Sequence, residues 1–416
     1  MGTGVAGGNG ELEAETVSAK KLAIYYATAC YRNPGGRYYT SSGLGRYLQV
    51  LNNLFPHVQV HLLAPTTEKP LTHLLYPLSE RVVVYELPYF ERFEESHRVR
   101  TQLTQRLRMF LDHHAVDCVW LRYPAAYGTV LWRAARAKQV PLFIEIVGDP
   151  MATLRRTRRM PLLKKYIALA VAKWHEREVE QIIETSPAVA VSRFLRERYT
   201  TERNQNNLWT LPCGTLFEED FFRRLDTCSS PPYTVFSVAR LTHMKSLHTL
   251  IDAIAILQQK GHPVHLGIVG SGPEREFLHE RAQKELRTGT WCFHGSVDDV
   301  TLHKLYCSAD IFALPSIHEG LGRVYYEAMA RGLPVVATWV DGIVDVVLDG
   351  VTGLLVPPSS PSSLAHAIES VILYPALRRR LIRNGYTNAR RFTGEEFITS
   401  LLQWIRDVLD VNLIDT

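Results

Sequence analysis

Cysteine is scarce and unpaired in this chain: Cys30, Cys118, Cys213, Cys228, Cys292 and Cys307 are scattered over 416 positions, with no CxxC pair. The scatter excludes a disulfide framework or a thiolate metal knot as an organising principle and fits a reducing compartment. No apolar run approaches the ~20 residues that a bilayer-spanning helix needs. Charge of one sign is not in excess. A formal net charge of +5 suits an anionic ligand or surface without implying nucleic acid. Repeats of solenoid period are missing. Residues 1–19 lack the basic start and apolar core of a signal peptide. They read as a disordered tail, and the protein as cytoplasmic.

What is present is a soluble-protein composition, 46% hydrophobic and 21% charged, in a chain long enough for two domains. Short β-branched runs alternate with helical stretches, the rhythm of parallel βαβ units. Strands are expected at Lys21–Ala29, Val58–Ala64, Val82–Leu87, Val116–Leu121, Val140–Val147 and Ala188–Val191. After a Ser/Pro-rich stretch, Cys228–Pro232, the rhythm restarts with Tyr233–Ala239, Val264–Val269, Trp291–Phe293, Ile311–Leu314, Pro334–Ala337 and Leu354–Val356. The expected organisation is a first domain over 20–227, a second over 228–393, and a closing helix in 394–416 that crosses back to the first. Two doubly wound α/β domains would face a cleft across the carboxyl ends of their sheets, where ligands bind.

The most informative segment is Ser316–Pro334, SIHEGLGRVYYEAMARGLP. A strand runs into a loop with Glu319, Gly320, Leu321 and Gly322, and a helix opens near Arg323. Amides of Gly322, Arg323 and Val324 would face an anion, aided by the helix dipole. Glu319 and Glu327, eight positions apart, can flank one bound molecule, and carboxylates accept well from vicinal sugar hydroxyls. Without context, two such glutamates would be a loop charge and a helix salt bridge; the glycine loop and helix start between them favour a ligand. Arg240 and Lys245 flank a strand-to-helix loop as a planar fork and a mobile point charge, suited to a diphosphate. Gly270 in VGSGPE and Gly295 in FHGSV sit at strand ends where backbone groups can read a ligand, although VGSGPE alone could be only a tight turn. Gly43 and Gly45, in SGLGR, open the first helix and can present amides from across the cleft; the turn Pro34-Gly35-Gly36 competes for that role.

Together these blocks resemble family 4 of the retaining glycosyltransferases (glycosyl transferases group 1), which have the GT-B fold. The resemblance is densest from Phe236 to Pro358. It includes the E-x7-E pattern Glu319–Glu327, the block Ala239–Ala253, and DGIVDVVLDGVTGLLVPP. It implies that Arg240 and Lys245 hold the donor diphosphate, Glu327 the ribose hydroxyls, and Glu319 the transferred sugar. It also implies front-face transfer with retention, no cofactor and no metal. The donor would be a UDP- or GDP-linked hexose, and the acceptor a glycan, a lipid-linked molecule or a small molecule.

The chain departs from the family where a first-domain strand end usually carries a histidine. Arg122, Tyr123 and Asp149 are the candidates on the acceptor side. Asp341 stands in the usual Gly-Gly turn and Asp345 where Glu is common. A nucleotide-sugar epimerase or hydrolase of the same fold, or a non-catalytic nucleotide-sugar-binding subunit, are the alternatives. Residues 151–178 are strongly basic, with Arg155, Arg156, Arg158 and Arg159, and Leu163, Ile167, Ala170 and Trp174 follow at helical spacing. The plainer reading packs that stripe on the first sheet. The other lays it on an anionic membrane, at the inner face.

Overall fold

In the computed structural model, described over residues 19–70, 76–90, 93–156, 161–214 and 216–413, two α/β units each enclose a parallel sheet. The expected tail, apart from Ala19, lies outside the described residues. In the first unit the strand Lys20–Tyr26 pairs in parallel with Val58–Thr67 on one side and Cys118–Tyr123 on the other. Leu142–Ile146, Ala188–Ala190 and Leu208–Thr210 extend the sheet beyond Cys118–Tyr123, and Val82–Leu87 pairs with the far side of Val58–Thr67. Every residue of Cys118–Tyr123 and Leu142–Ile146 is buried, because helices cover both faces; this is why these strands read as continuous rather than alternating apolar runs.

The first strand ends at Tyr26, three residues before the expected Ala29. Two strands that the sequence pattern did not indicate, Cys30–Arg32 and Tyr38–Thr40, follow it as an antiparallel ribbon. Pro34-Gly35-Gly36 is the turn of this ribbon: Gly36 takes φ +81° and its amide donates to the Asn33 carbonyl at 2.9 Å. Its backbone serves the hairpin, which removes it as a competitor for the phosphate role.

The second sheet runs Trp291–Gly295, Val264–Val269, Tyr233–Val238, Ile311–Leu314, Val335–Thr338, Leu354–Val356, all parallel. Its loops and helix starts therefore gather on one edge. The chain crosses between the units at two adjoining places, where Leu216 bridges Thr393 and Gly214 lies so close to Phe392 that any side chain would strike its backbone. The final helix, Gly394–Leu409, lies on the first unit. Phe397 packs 5.1 Å from Tyr47, and Trp404 packs 5.4 Å from Phe143 and 5.5 Å from Trp209.

Helix Leu162–Thr185 carries two candidate packing stripes, and the one that packs is Ala168, Ala172, His175, Val179 and Ile182. Ala168 and Ala172 are buried in the first half of this face, and Val179, Ile182 and Ile183 anchor its second half. The plainer expectation for Leu163, Ile167, Ala170 and Trp174 is thus overturned, since that stripe faces outward. Leu163 is 74% exposed, Tyr166 70% and Ile167 57%. Arg158 and Arg159 of the preceding basic run lie outside the described residues. Among the described residues no helix is long and apolar enough to cross a membrane.

Candidate functional site

Helix Arg323–Ala330 starts at Gly322, which holds φ +77° as its N-cap. A side chain there would also strike the Tyr325 ring and reach Glu319 Cγ at 3.0 Å, so glycine is required on two counts. The Tyr325 amide turns back to the Gly322 carbonyl at 3.1 Å, whereas the amides of Arg323 and Val324 have no acceptor within the helix and Gly322 has no side chain to cap them. Leu321 is buried beneath the loop, and Gly320 crosses to the first unit, where a side chain would meet the Val147 carbonyl at 3.2 Å. The loop between the two glutamates is therefore rigid, glycine-tight and placed at the seam between the units.

Lys245 and Glu319 are brought together in a direct ion pair, Nζ on Oε2, with side chains 19% and 16% exposed. Lys245 ends a short 3₁₀ turn, His243–Lys245, and Ser246 follows in the left-handed region before helix Leu247–Gln259. Arg240 stands apart: it is exposed at the end of Tyr233–Val238. Its loop is braced from below by Gly270 and Gly272, both at positive φ, where side chains would collide with the carbonyls of Ala239 and Leu241. The Gly270 amide donates to the Gly295 carbonyl at 2.8 Å. These two glycines let the backbone pass close beneath the Arg240 loop, and the Gly270 amide is spent on the Gly295 carbonyl.

The second glutamate lies in a different cluster. Glu327 accepts from the Tyr306 hydroxyl at 3.2 Å and shares a cavity of about 70 Å³ with Arg323, Arg46, Gly43 and Asp299. Gly43 and Arg46 come from helix Ser42–Leu54 of the first unit, so the cavity lies between the units. At Gly43 an added Cβ would lie 2.5 Å from Arg323 Nη1; the guanidinium passes directly over it. Gly45 has another reason to be glycine, since a side chain would strike the Tyr76 ring. Asp220, 3% exposed, ties the units together: it ion-pairs with Arg46 and accepts from Arg331 Nη2 at 2.6 Å. Burial works against the charge on Arg46, but Asp220, Asp299 and Glu327 outweigh it and raise its pKa above the ordinary value. No motif announces Asp220 in the sequence, which is why it was missed.

The three acceptor-side candidates are engaged elsewhere. Arg122 is buried, with Nε 2.9 Å from Glu145 Oε2 and its guanidinium over the Tyr26 and Tyr47 rings at 4.7 and 5.3 Å. Tyr123 is buried edge-on against Tyr199, ring centroids 5.9 Å apart. Both were placed on the site because they end a strand, but their side chains turn into the first unit's core and present nothing to an acceptor. Asp149 lies at the seam beside Gly148 and Gly320, where it accepts from the Ala152 amide at 2.9 Å and from Arg198 Nε at 3.1 Å. It orders the start of helix Pro150–Arg156.

Around Glu319 the structure adds residues the sequence reading had not assigned. His318 is buried and its Nδ1 meets Asp341 Oδ2, which also accepts from the Glu319 amide at 3.2 Å. Asp341 thus fixes the loop that carries Glu319. Asp345 accepts from the Arg193 amide and Nε, each at 2.7 Å, joining the two units. The signal for both was visible as Asp341 and Asp345, departures from the usual turn.

Two Rossmann-like parallel-sheet domains meeting at a cleft of arginines and carboxylates define the GT-B class of architecture. Residues 220–388 match the family model described as glycosyl transferases group 1. An uncharacterized glycosyltransferase of Methanocaldococcus jannaschii is 31% identical over 222 residues, covering 50% of this chain and 57% of that protein. A phosphatidyl-myo-inositol mannosyltransferase of Mycobacterium leprae is 28% identical over 298 residues, 69% of this chain and 72% of that protein. The chain thus spans little more than half the length of the first of these relatives. Among solved structures, sucrose-phosphate synthase from Thermosynechococcus elongatus aligns with TM-score 0.72 at 19% identity, over 94% of this chain and 99% of that one. HepE of Anabaena, in complex with UDP-glucose, aligns with TM-score 0.66 at 17% identity, over 94% and 99%. At such identities the likeness shows the fold.

Proposed function

We propose that this protein is a retaining glycosyltransferase that moves a hexose from a UDP- or GDP-linked donor to a glycan, lipid-linked or small-molecule acceptor. The observation that carries the reading is the placement of Glu319 and Glu327 on either side of an uncapped, glycine-started helix N-terminus, with Lys245 on the first of them. A diphosphate at that N-terminus would be met by the free amides, by Lys245 released from Glu319, and by Arg323 and Arg46 from opposite walls. Glu327 then faces the nucleoside end and Glu319 the transferred sugar. The solved likeness to a protein bound to UDP-glucose agrees with such a donor.

In this account the acceptor hydroxyl attacks on the face from which the nucleotide leaves. The leaving phosphate takes the hydroxyl proton while the cations and the helix dipole stabilise its charge. Arg240, exposed on its braced loop, reaches the phosphates as the donor enters. The residues needed to oppose that charge are all cations of this chain, so the reaction proceeds without a metal ion. A cavity of about 70 Å³ falls well below the roughly 300–1,000 Å³ of small-molecule sites. Donor entry therefore requires the units to part and close again. The outward stripe of Leu163, Tyr166 and Ile167 beside Arg155 and Lys165 would rest on an anionic membrane, at the cytoplasmic face.

Titration calorimetry with UDP, GDP and their hexose conjugates, in EDTA, tests the donor side. Binding of at least one nucleotide, weakened in Lys245→Ala and Glu327→Gln, is the expected result; no binding of any would end the reading.

A further inference from the structure

We propose that the crevice beside Trp339 is a subsite for a neutral pyranose unit of the acceptor. This rests on the glycosyltransferase reading and deepens it by giving the acceptor's chemistry. Trp339 follows strand Val335–Thr338, and its amide donates to the Val356 carbonyl at 2.9 Å, so its backbone is fixed. Its indole nevertheless stands 60% exposed. A large apolar ring held out on a rigid strand end is costly to leave wet and gains from being covered.

The ring forms one wall of a crevice of about 290 Å³, and the first unit supplies the other through Arg193, Phe194 and Glu197 of helix Arg193–Tyr199, with Asp341 and Asp345 between. Three carboxylates face a single arginine, and that guanidinium is already bridged to Asp345 at 2.7 Å. Such a field repels phosphates and carboxylates. It suits hydroxyl groups, which donate to carboxylates, while the C–H face of a pyranose needs a flat apolar partner. An indole supplies this with few rotamers to lose.

The position fits an acceptor rather than the donor. The crevice shares no lining residue with the Glu327 cavity, so a nucleotide there leaves it free. Asp341 in its wall holds the Glu319 amide at 3.2 Å, which sets the crevice one residue from the carboxylate assigned to the transferred sugar.

Saturation-transfer NMR on the full chain, with methyl glucoside, mannoside and galactoside and with UDP or GDP at saturation, tests this. At least one glycoside should receive saturation at its ring C–H protons. Trp339→Ala should weaken its binding roughly tenfold or more, the loss expected of an aromatic anchor, and Trp339→Phe should restore most of it. Calorimetric nucleotide binding should be the same in all three proteins. No signal from any glycoside with wild type, or equal binding by Trp339→Ala, would overturn the subsite. Tighter binding of glucose 1-phosphate than of the neutral glucoside would overturn its stated chemistry. If no nucleotide binds in calorimetry, the underlying glycosyltransferase reading fails instead, whatever the glycosides do.

Discussion

Removing either member of the Lys245–Glu319 pair separates a structural role from a functional one, because the two roles differ in size. The side chains are 19% and 16% exposed, so the pair lies between a solvated bridge and a buried one. Exposed pairs contribute about 0–1 kcal/mol, and breaking a fully buried pair costs about 3–5 kcal/mol. For this pair ~1–2 kcal/mol is expected, a fall in Tm of a few degrees at ~2–4 °C per kcal/mol in domains of this size. A preorganised contact to developing charge is worth ~10²–10³ in rate. Lys245→Ala and Glu319→Ala should each lower kcat/KM by on the order of a hundredfold while remaining folded. If the residues only brace each other, the double variant will be no worse than either single. If Lys245 meets the diphosphate and Glu319 the sugar, the double variant should lose roughly a further tenfold or more. Thermal melts establish folding, and nucleotide release gives the rates. Near-wild-type kcat/KM in folded single variants, or a double variant equal to the singles, would refute the division of roles.

Other outcomes follow from the same geometry. Asp220→Ala leaves Arg331 buried without its carboxylate, and should cost about 3 kcal/mol in urea unfolding; a loss under ~1 kcal/mol would mean that water replaces the contact. Gly43→Val should leave the fold intact, because the guanidinium of Arg323 can swing aside, yet weaken nucleotide binding roughly tenfold. Gly45→Val should instead lower Tm by displacing Tyr76, and equal effects from the two would refute their assignment. Leu163→Ser with Ile167→Ser should abolish flotation with anionic liposomes without lowering Tm, since both side chains are exposed. Absence of wild-type flotation at low salt would remove the membrane contact.

The second sheet was legible because buried parallel strands read as continuous apolar runs, and Val264–Val269 and Ile311–Leu314 lie where the pattern put them, as do the less buried Val82–Leu87 and Leu354–Val356. The ribbon Cys30–Arg32 and Tyr38–Thr40 escaped because three-residue strands carry no periodicity. Helix Leu162–Thr185 was misoriented because its large apolar side chains Leu163, Tyr166 and Ile167 lie on the exposed face, whereas the first half of the buried face carries the small Ala168 and Ala172. In the second domain, glycine spacing and charge pointed to the loop where Lys245 and Glu319 meet. On the first domain, strand-end position named Arg122 and Tyr123 but could not tell which way their side chains turn. Asp220 and Arg46, 174 positions apart, meet only through the crossing between the domains.

Acceptor-dependent nucleotide release, followed in EDTA over a panel of UDP- and GDP-hexoses with methyl glycosides, glycans and lipid-linked sugars, tests the central claim most directly. The account predicts rapid release of nucleotide from one donor only when an acceptor is present, with a new glycosidic bond of the donor's anomeric configuration. Release at the same rate without any acceptor, a strict requirement for a divalent ion, or a product of inverted configuration would contradict it.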